Sequence, residues 1–191
     1  YNNWDFSNNL VNDYLKSMAL SGIRYVELGF RSLNKKGFKG PTWYTTDSYI
    51  NNLIVPKKLK IGVMVNMSEF LYSNLKLKKK VDLLFKKKNK SKISFVRIAA
   101  HYKEFTSALE MCRLLQLKGY LVCINLMQIS EQSNENINIL LKRLSKIKPD
   151  VLYFADSLGS LRPDNIIKIV KNLRLSWNGP IGIHAHDNLE E

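Results

Sequence analysis

Ile93-Ser-Phe-Val-Arg-Ile-Ala-Ala100 and Leu121-Val-Cys-Ile-Asn-Leu126 are short apolar runs separated by one helical stretch, Thr106 to Leu117, closed by Gly119. Each run is rich in β-branched residues and is apolar at nearly every position, which is how a strand buried on both faces reads. A strand, a covering helix and a second strand make one βα unit of a parallel sheet. The rest of the chain repeats that unit.

Upstream, Ile61-Gly-Val-Met-Val65 and Ile23-Arg-Tyr-Val-Glu-Leu-Gly29 read as strands. Downstream, so do Val151-Leu-Tyr-Phe-Ala155 and Ile181-Gly-Ile-His-Ala-His186. The six strand starts are spaced at roughly 30 residues, and each gap holds a helical pattern. The first helix follows Ser7 as N-cap and carries Leu10, Val11, Tyr14, Leu15, Met18 and Ala19 as an inward stripe up to Gly22. Residues 30 to 46 read as a long loop whose Arg31, Trp43 and Tyr44 suit a substrate loop or a packed surface loop, and a short helix over 47 to 55 stops at Pro56. Ser133 caps a later helix, and Pro163 opens the last one, with Ile166, Ile167, Ile169, Val170 and Leu173 inward. No Gly-rich phosphate loop follows any strand, which argues against a nucleotide fold.

The 191 residues suffice for one sizeable domain, and we expect residues 1–191 to form a single partial barrel. A closed barrel takes eight units and about 250 residues. The chain opens on Tyr1 with no Met, so it is expected to begin inside a longer protein. No run reaches the about 18 apolar residues of a membrane span, and the opening does not read as a signal peptide. Cys112 and Cys123 sit in apolar runs and read as reduced core residues, which goes with a cytoplasmic location. The net charge of +14 peaks between Lys76 and Lys92. Those lysines flank Leu75, Val81, Leu84 and Phe85 at helical spacing, so a solvated lysine face is the plainer reading than nucleic-acid binding.

Polar residues gather in the strands or just past their C-terminal ends: Glu27, Arg31, Asn66, Arg97, His101, Asn125, Asp156, His184 and His186. That is the end at which a parallel barrel keeps its chemistry. His184 and His186 share one face of the last strand, and two imidazoles side by side suit one divalent metal. Glu27 inside an apolar strand needs a partner. A structural pair with Arg97 is one reading, and an active-site role is the other.

Four segments carry a family resemblance: Val26-Glu-Leu-Gly29, Val96-Arg-Ile-Ala-Ala-His101, Asp156-Ser-Leu-Gly159 and His184-Ala-His-Asp-Asn188. In this order and on these strands they resemble the DRE-TIM metallolyases, and within them the 4-hydroxy-2-oxovalerate aldolase-like and HMG-CoA lyase-like members. The resemblance implies a TIM (β/α)8 barrel, here with strands 2 to 7. It implies a divalent metal, Mn or Mg with Zn as an alternative, on His184 and His186. The third ligand is expected from an Arg-Asp-Gly motif upstream of Tyr1. A 2-oxo acid such as pyruvate would chelate the ion, and an aldehyde or acyl donor would be the second reactant. Asp156, His101 and Glu27 are the candidate catalytic residues, and Arg97, Asn125 and Asn188 the candidate substrate contacts. For each, capping or structural pairing is the competing reading. A homodimer or a dehydrogenase partner is what the resemblance suggests for assembly. The alternative function is a non-catalytic barrel remnant that binds an anionic partner through the basic surface.

Overall fold

The computed structural model describes residues 2–186 apart from 73, 74, 130, 131, 145, 146, 158 and 160. The strands are β1 (Tyr25–Phe30), β2 (Lys60–Asn66), β3 (Ile93–Ala100), β4 (Leu121–Leu126), β5 (Val151–Ala155) and β6 (Ile181–His184). All neighbouring pairs are parallel, and the order across the sheet is the order along the chain. A doubly wound sheet reverses direction at a switch point. This one never reverses, as in a barrel. The helices are α1 (Asn8–Leu20), α2 (Pro41–Tyr44), α3 (Asp47–Asn51), α4 (Met67–Leu71), α5 (Leu77–Leu84), α6 (Phe105–Leu117), α7 (Asn134–Arg143) and α8 (Pro163–Arg174). Among the described residues no helix is long and apolar enough to cross a membrane.

Period-two alternation divides each strand. One face of β2 to β5 carries Val63, Val65, Val96, Ile98, Val122, Ile124 and Leu152, all fully buried. Leu115, Met111 and Ala108 of α6 belong to the same core. The opposite face carries Glu27, Arg97, Cys123 and Tyr153, which line a cavity of about 460 Å3 together with Tyr25, Phe95, Leu121, Asp150 and Val151. Two glycines make room for large rings on that inner face. A Cβ on Gly62 would collide with the Phe95 ring, and one on Gly182 with the Tyr153 ring. Over Gly62 the Phe95 ring reaches across β2 and meets Tyr25 of β1 edge-on, 5.8 Å between centroids.

Several expectations hold in detail. Ser7 caps α1 by accepting the Leu10 N–H at 3.3 Å, and Ser133 caps α7 by accepting that of Asn136 at 3.2 Å. Four depart from the sequence reading. Leu10 and Tyr14 were expected inward but are 55% and 45% exposed, beside Phe6, Glu27 and Leu28 around a cavity of about 340 Å3. β1 is a sheet edge, so that flank of α1 has no strand beneath it. Ile167 of α8 is exposed because Ile169 and Leu173 take the inward positions. The helix expected over 47 to 55 ends at Asn51, and the expected loop contains the short helix α2. The lysine stretch is not a uniformly solvated face: Lys80 is buried, and its ammonium donates to the Phe70 carbonyl.

Candidate active site

One guanidinium organises the inner face. Arg97 projects from β3, and its Nε and Nη2 donate to Glu27 Oε2 at 2.7 Å and Oε1 at 2.6 Å on β1. Its Nη1 meets His184 Nδ1 at 2.6 Å on β6. On a flat sheet β1 and β6 would lie about 24 Å apart, five strand spacings. A single head group touching side chains of both strands is possible only if the sheet curls, with these side chains inside. Arg97 also lies over the Tyr153 ring of β5, 5.8 Å from its centroid.

His184 and His186 face each other with ring centroids 4.9 Å apart. The strand ends at His184, so His186 stands just past it and is exposed. Burial pushes the His184 pKa down, Arg97 and His186 push the same way, and Glu27 opposes them. The ring is therefore held neutral, the form in which an imidazole binds a metal. The donor type and spacing suit one divalent ion, though the Nδ1 atom of His184 is engaged by Arg97. Among the described residues no group of three or more His, Cys, Asp or Glu side chains comes together.

The other sequence candidates divide. Asn125 is on the inner face of β4, in register with Tyr153 and Ala99, 3% exposed, and its Oδ1 has no hydrogen-bond partner. A buried acceptor left alone is costly, so this atom is suited to a donor from a ligand or a water. Asp156 is buried at the end of β5. Its backbone N–H donates to the His184 carbonyl at 2.9 Å, and its Oδ2 accepts the Leu161 N–H at 3.0 Å, so it braces the loop that leaves the strand beside the histidines. His101 is exposed, and it caps the turn at Tyr102–Glu104 by accepting the Glu104 N–H while Glu104 accepts its own at 2.9 Å. Asn188 lies outside the described residues, as does Asp187.

Tyr153 and Cys123 were missed as site residues. Each reads as strand core, yet both line the inner cavity with Arg97. Strand parity held the signal, since the register pairs Arg97 with Cys123 and Asn125 with Tyr153. Burial pushes the Tyr153 phenol up, with the Cys123 and Glu27 charges in the same direction and Arg97 against. Arg31, in contrast, is no substrate-loop residue. It is buried and donates to the Thr45 and Leu84 carbonyls and to Asp47.

No family model matches the chain. A 4-hydroxy-2-oxovalerate aldolase of Bacillus thuringiensis is 31% identical over 94 residues, 49% of this chain and 28% of the aldolase. An oxaloacetate decarboxylase of Mycobacterium tuberculosis is 22% identical over 189 residues, 98% of this chain and 53% of the decarboxylase. The crystal structure of the N-terminal domain of a candidate aldolase from Bacteroides vulgatus superposes with a TM-score of 0.83 at 27% identity, over 98% of this chain and 60% of that one. These likenesses to aldolases and a decarboxylase are consistent with the DRE-TIM resemblance, over part of each relative. The HMG-CoA lyase of Bacillus subtilis has a TM-score of 0.71 at 11% identity, over 97% of this chain and 65% of that one, a likeness of fold. The six parallel strands compare with eight in a closed barrel, and the chain spans about half or less of the length of these two curated relatives.

Proposed function

We propose that this chain is the catalytic part of a divalent-metal-dependent lyase or aldolase that makes or breaks a carbon–carbon bond next to a 2-oxo acid. The observation that carries the reading is the cluster His184, His186, Arg97 and Glu27 on the inner face of the curled sheet. Its kinship with aldolases and lyases points the same way. His184 and His186 would hold the ion, with a further ligand outside the described residues as part of the same proposal. A divalent ion there would polarise the carbonyl of a 2-oxo acid as a Lewis acid. Arg97 would face the carboxylate of the acid, and Glu27 fixes the plane of the guanidinium through two parallel bonds. Asn125 Oδ1 would accept from a hydroxyl of the second reactant. Tyr153, Phe95 and Leu121 would keep water off the floor of the site.

The experiment is a pyruvate-release assay on 4-hydroxy-2-oxo acids with the full-length protein and added Mn. Release that requires metal and vanishes in His184→Ala/His186→Ala is the expected result. Full activity in the double variant would overturn the reading. The basic-surface alternative has less in its favour. In the lysine-rich region Lys80 is buried, and Asp82 pairs with Lys78 and with Lys118, at 3.7 and 2.6 Å.

A further inference from the structure

The contact between Arg97 and His184 carries a consequence for metal binding. A guanidinium offers only donors, so at the 2.6 Å contact His184 Nδ1 must be the acceptor. A neutral imidazole has a single N–H, which then sits on Nε2. A metal ion needs a ring nitrogen with a free lone pair. In this arrangement His184 offers none: the Nδ1 lone pair is given to Arg97, and Nε2 carries the proton. Binding an ion at Nε2 would move the proton to Nδ1, where it would point at the Arg97 N–H. Binding at Nδ1 would take the place of Arg97. By either route the contact must break. His186 is exposed.

We propose that Arg97 is a positioning residue that holds His184 in the tautomer unable to bind metal, so that metal loading and release of Arg97 Nη1 are a single event. The proposal rests on the reading that His184 and His186 hold the ion. Release does not set Arg97 adrift, because Nε and Nη2 remain on the two oxygens of Glu27 at 2.7 and 2.6 Å. The freed Nη1 stays on the side of the guanidinium that faces His184. It is then the one guanidinium nitrogen without a partner, directed at the place where the anionic end of a ligand would lie. Before metal loads, Glu27 and His184 engage three of the five guanidinium N–H groups of Arg97. Glu27 and Arg97 thus act on the metal through His184 and need not touch it, as hydrogen-bond partners behind metal ligands commonly do.

The test uses the full-length protein, stripped of metal and labelled with 15N-histidine, with diamagnetic Zn2+ as the probe. Metal-free His184 is expected as the Nε2–H tautomer, and Zn2+ is expected to move its proton to Nδ1 or to occupy Nδ1. A metal-free ring with its proton on Nδ1 overturns the proposal. So does Zn2+ bound by both histidines with the Arg97 contact intact, which leaves the metal reading standing. Zn2+ that perturbs neither histidine sinks the metal reading and this proposal with it. A second measurement is Zn2+ affinity by calorimetry in Glu27→Gln/Arg97→Met, which removes the restraint without stranding a carboxylate. It should be tighter than wild type by about tenfold or more, since the competent tautomer no longer competes with a charged donor. Equal or weaker binding by a folded variant overturns the proposal, and if circular dichroism shows the variant unfolded, the tautomer measurement decides.

Discussion

Two buried arginines, Arg31 and Arg97, begin from similar chemistry and end in opposite roles. Arg31 is 2% exposed, and its donors go to fixed acceptors: twice to the Thr45 carbonyl at 3.1 and 2.8 Å, once to Leu84 at 2.9 Å, and to Asp47 at 3.2 Å. It also lies over Phe85, 5.1 Å from the ring centroid. It ties the segment after β1 to α3 and to the end of α5. Arg97 is 9% exposed, but its side-chain partners are Glu27 and His184, side chains that can themselves exchange partners; both arginines border cavities, of about 590 Å3 for Arg31 and about 460 Å3 for Arg97. Backbone carbonyls have nowhere else to go, so an arginine that ends on them is structural. Three of the four Arg31 bonds end on backbone carbonyls, whereas the Arg97 bonds go to ionisable side chains, which can give up a contact and make another.

Replacing each arginine tests that contrast. Arg31→Met strands two carbonyls and the Asp47 carboxylate, and should cost about 3–5 kcal/mol in urea unfolding without altering Zn2+ affinity. Gly62→Ala should cost about 1–3 kcal/mol in urea unfolding by driving the Phe95 ring off β2. Arg97→Met should cost less than Arg31→Met, about 1–2 kcal/mol, because Glu27 keeps access to the cavity. An Arg97 loss equal to that of Arg31 would erase the distinction.

The smallest effect is in pH dependence. Burial and the Asp150 charge push the Cys123 thiol up to about 12, with Arg97 opposing, and burial and Asp150 push Cys112 to about 12 as well. The unfolded thiols ionise at their ordinary value of 9.0. The protonated form is thus favoured in the fold, so this contribution to stability is full below 9.0 and is lost as pH rises toward about 12. Unfolding midpoints should fall over that alkaline range, and less so in Cys123→Ala. Alkylation adds a sharper reading: Arg97→Met should slow modification of Cys123 and leave Cys112 unchanged.

Much of the molecule was legible along the chain. The strand over 93 to 100 and the strand over 121 to 126 have the boundaries expected of them, since long apolar β-branched runs have few other options. The rings of His184 and His186 are neighbours, as the sequence suggested, but the strand ends at His184 and His186 stands past it. The pairing of Glu27 with Arg97 was one of two readings, and charge alone could not choose between them. Leu10 and Tyr14 are exposed among the described residues, since helical periodicity identifies an apolar side but not which segment covers it. Lys80 was assigned to solvent by its neighbours, yet it reaches a carbonyl of α4.

The sequence by itself determined the alternation of strand and helix, the parallel sheet and the candidate histidines, because these depend on local periodicity and spacing. Tertiary structure alone decided that the sheet curls far enough for one guanidinium to meet both β1 and β6, and that Arg97 turns to Glu27 and His184 while Arg31 turns to backbone carbonyls. The physical reason is reach. A contact across 70 or 87 residues depends on the curvature summed over every intervening strand pair, which no single stretch of sequence contains.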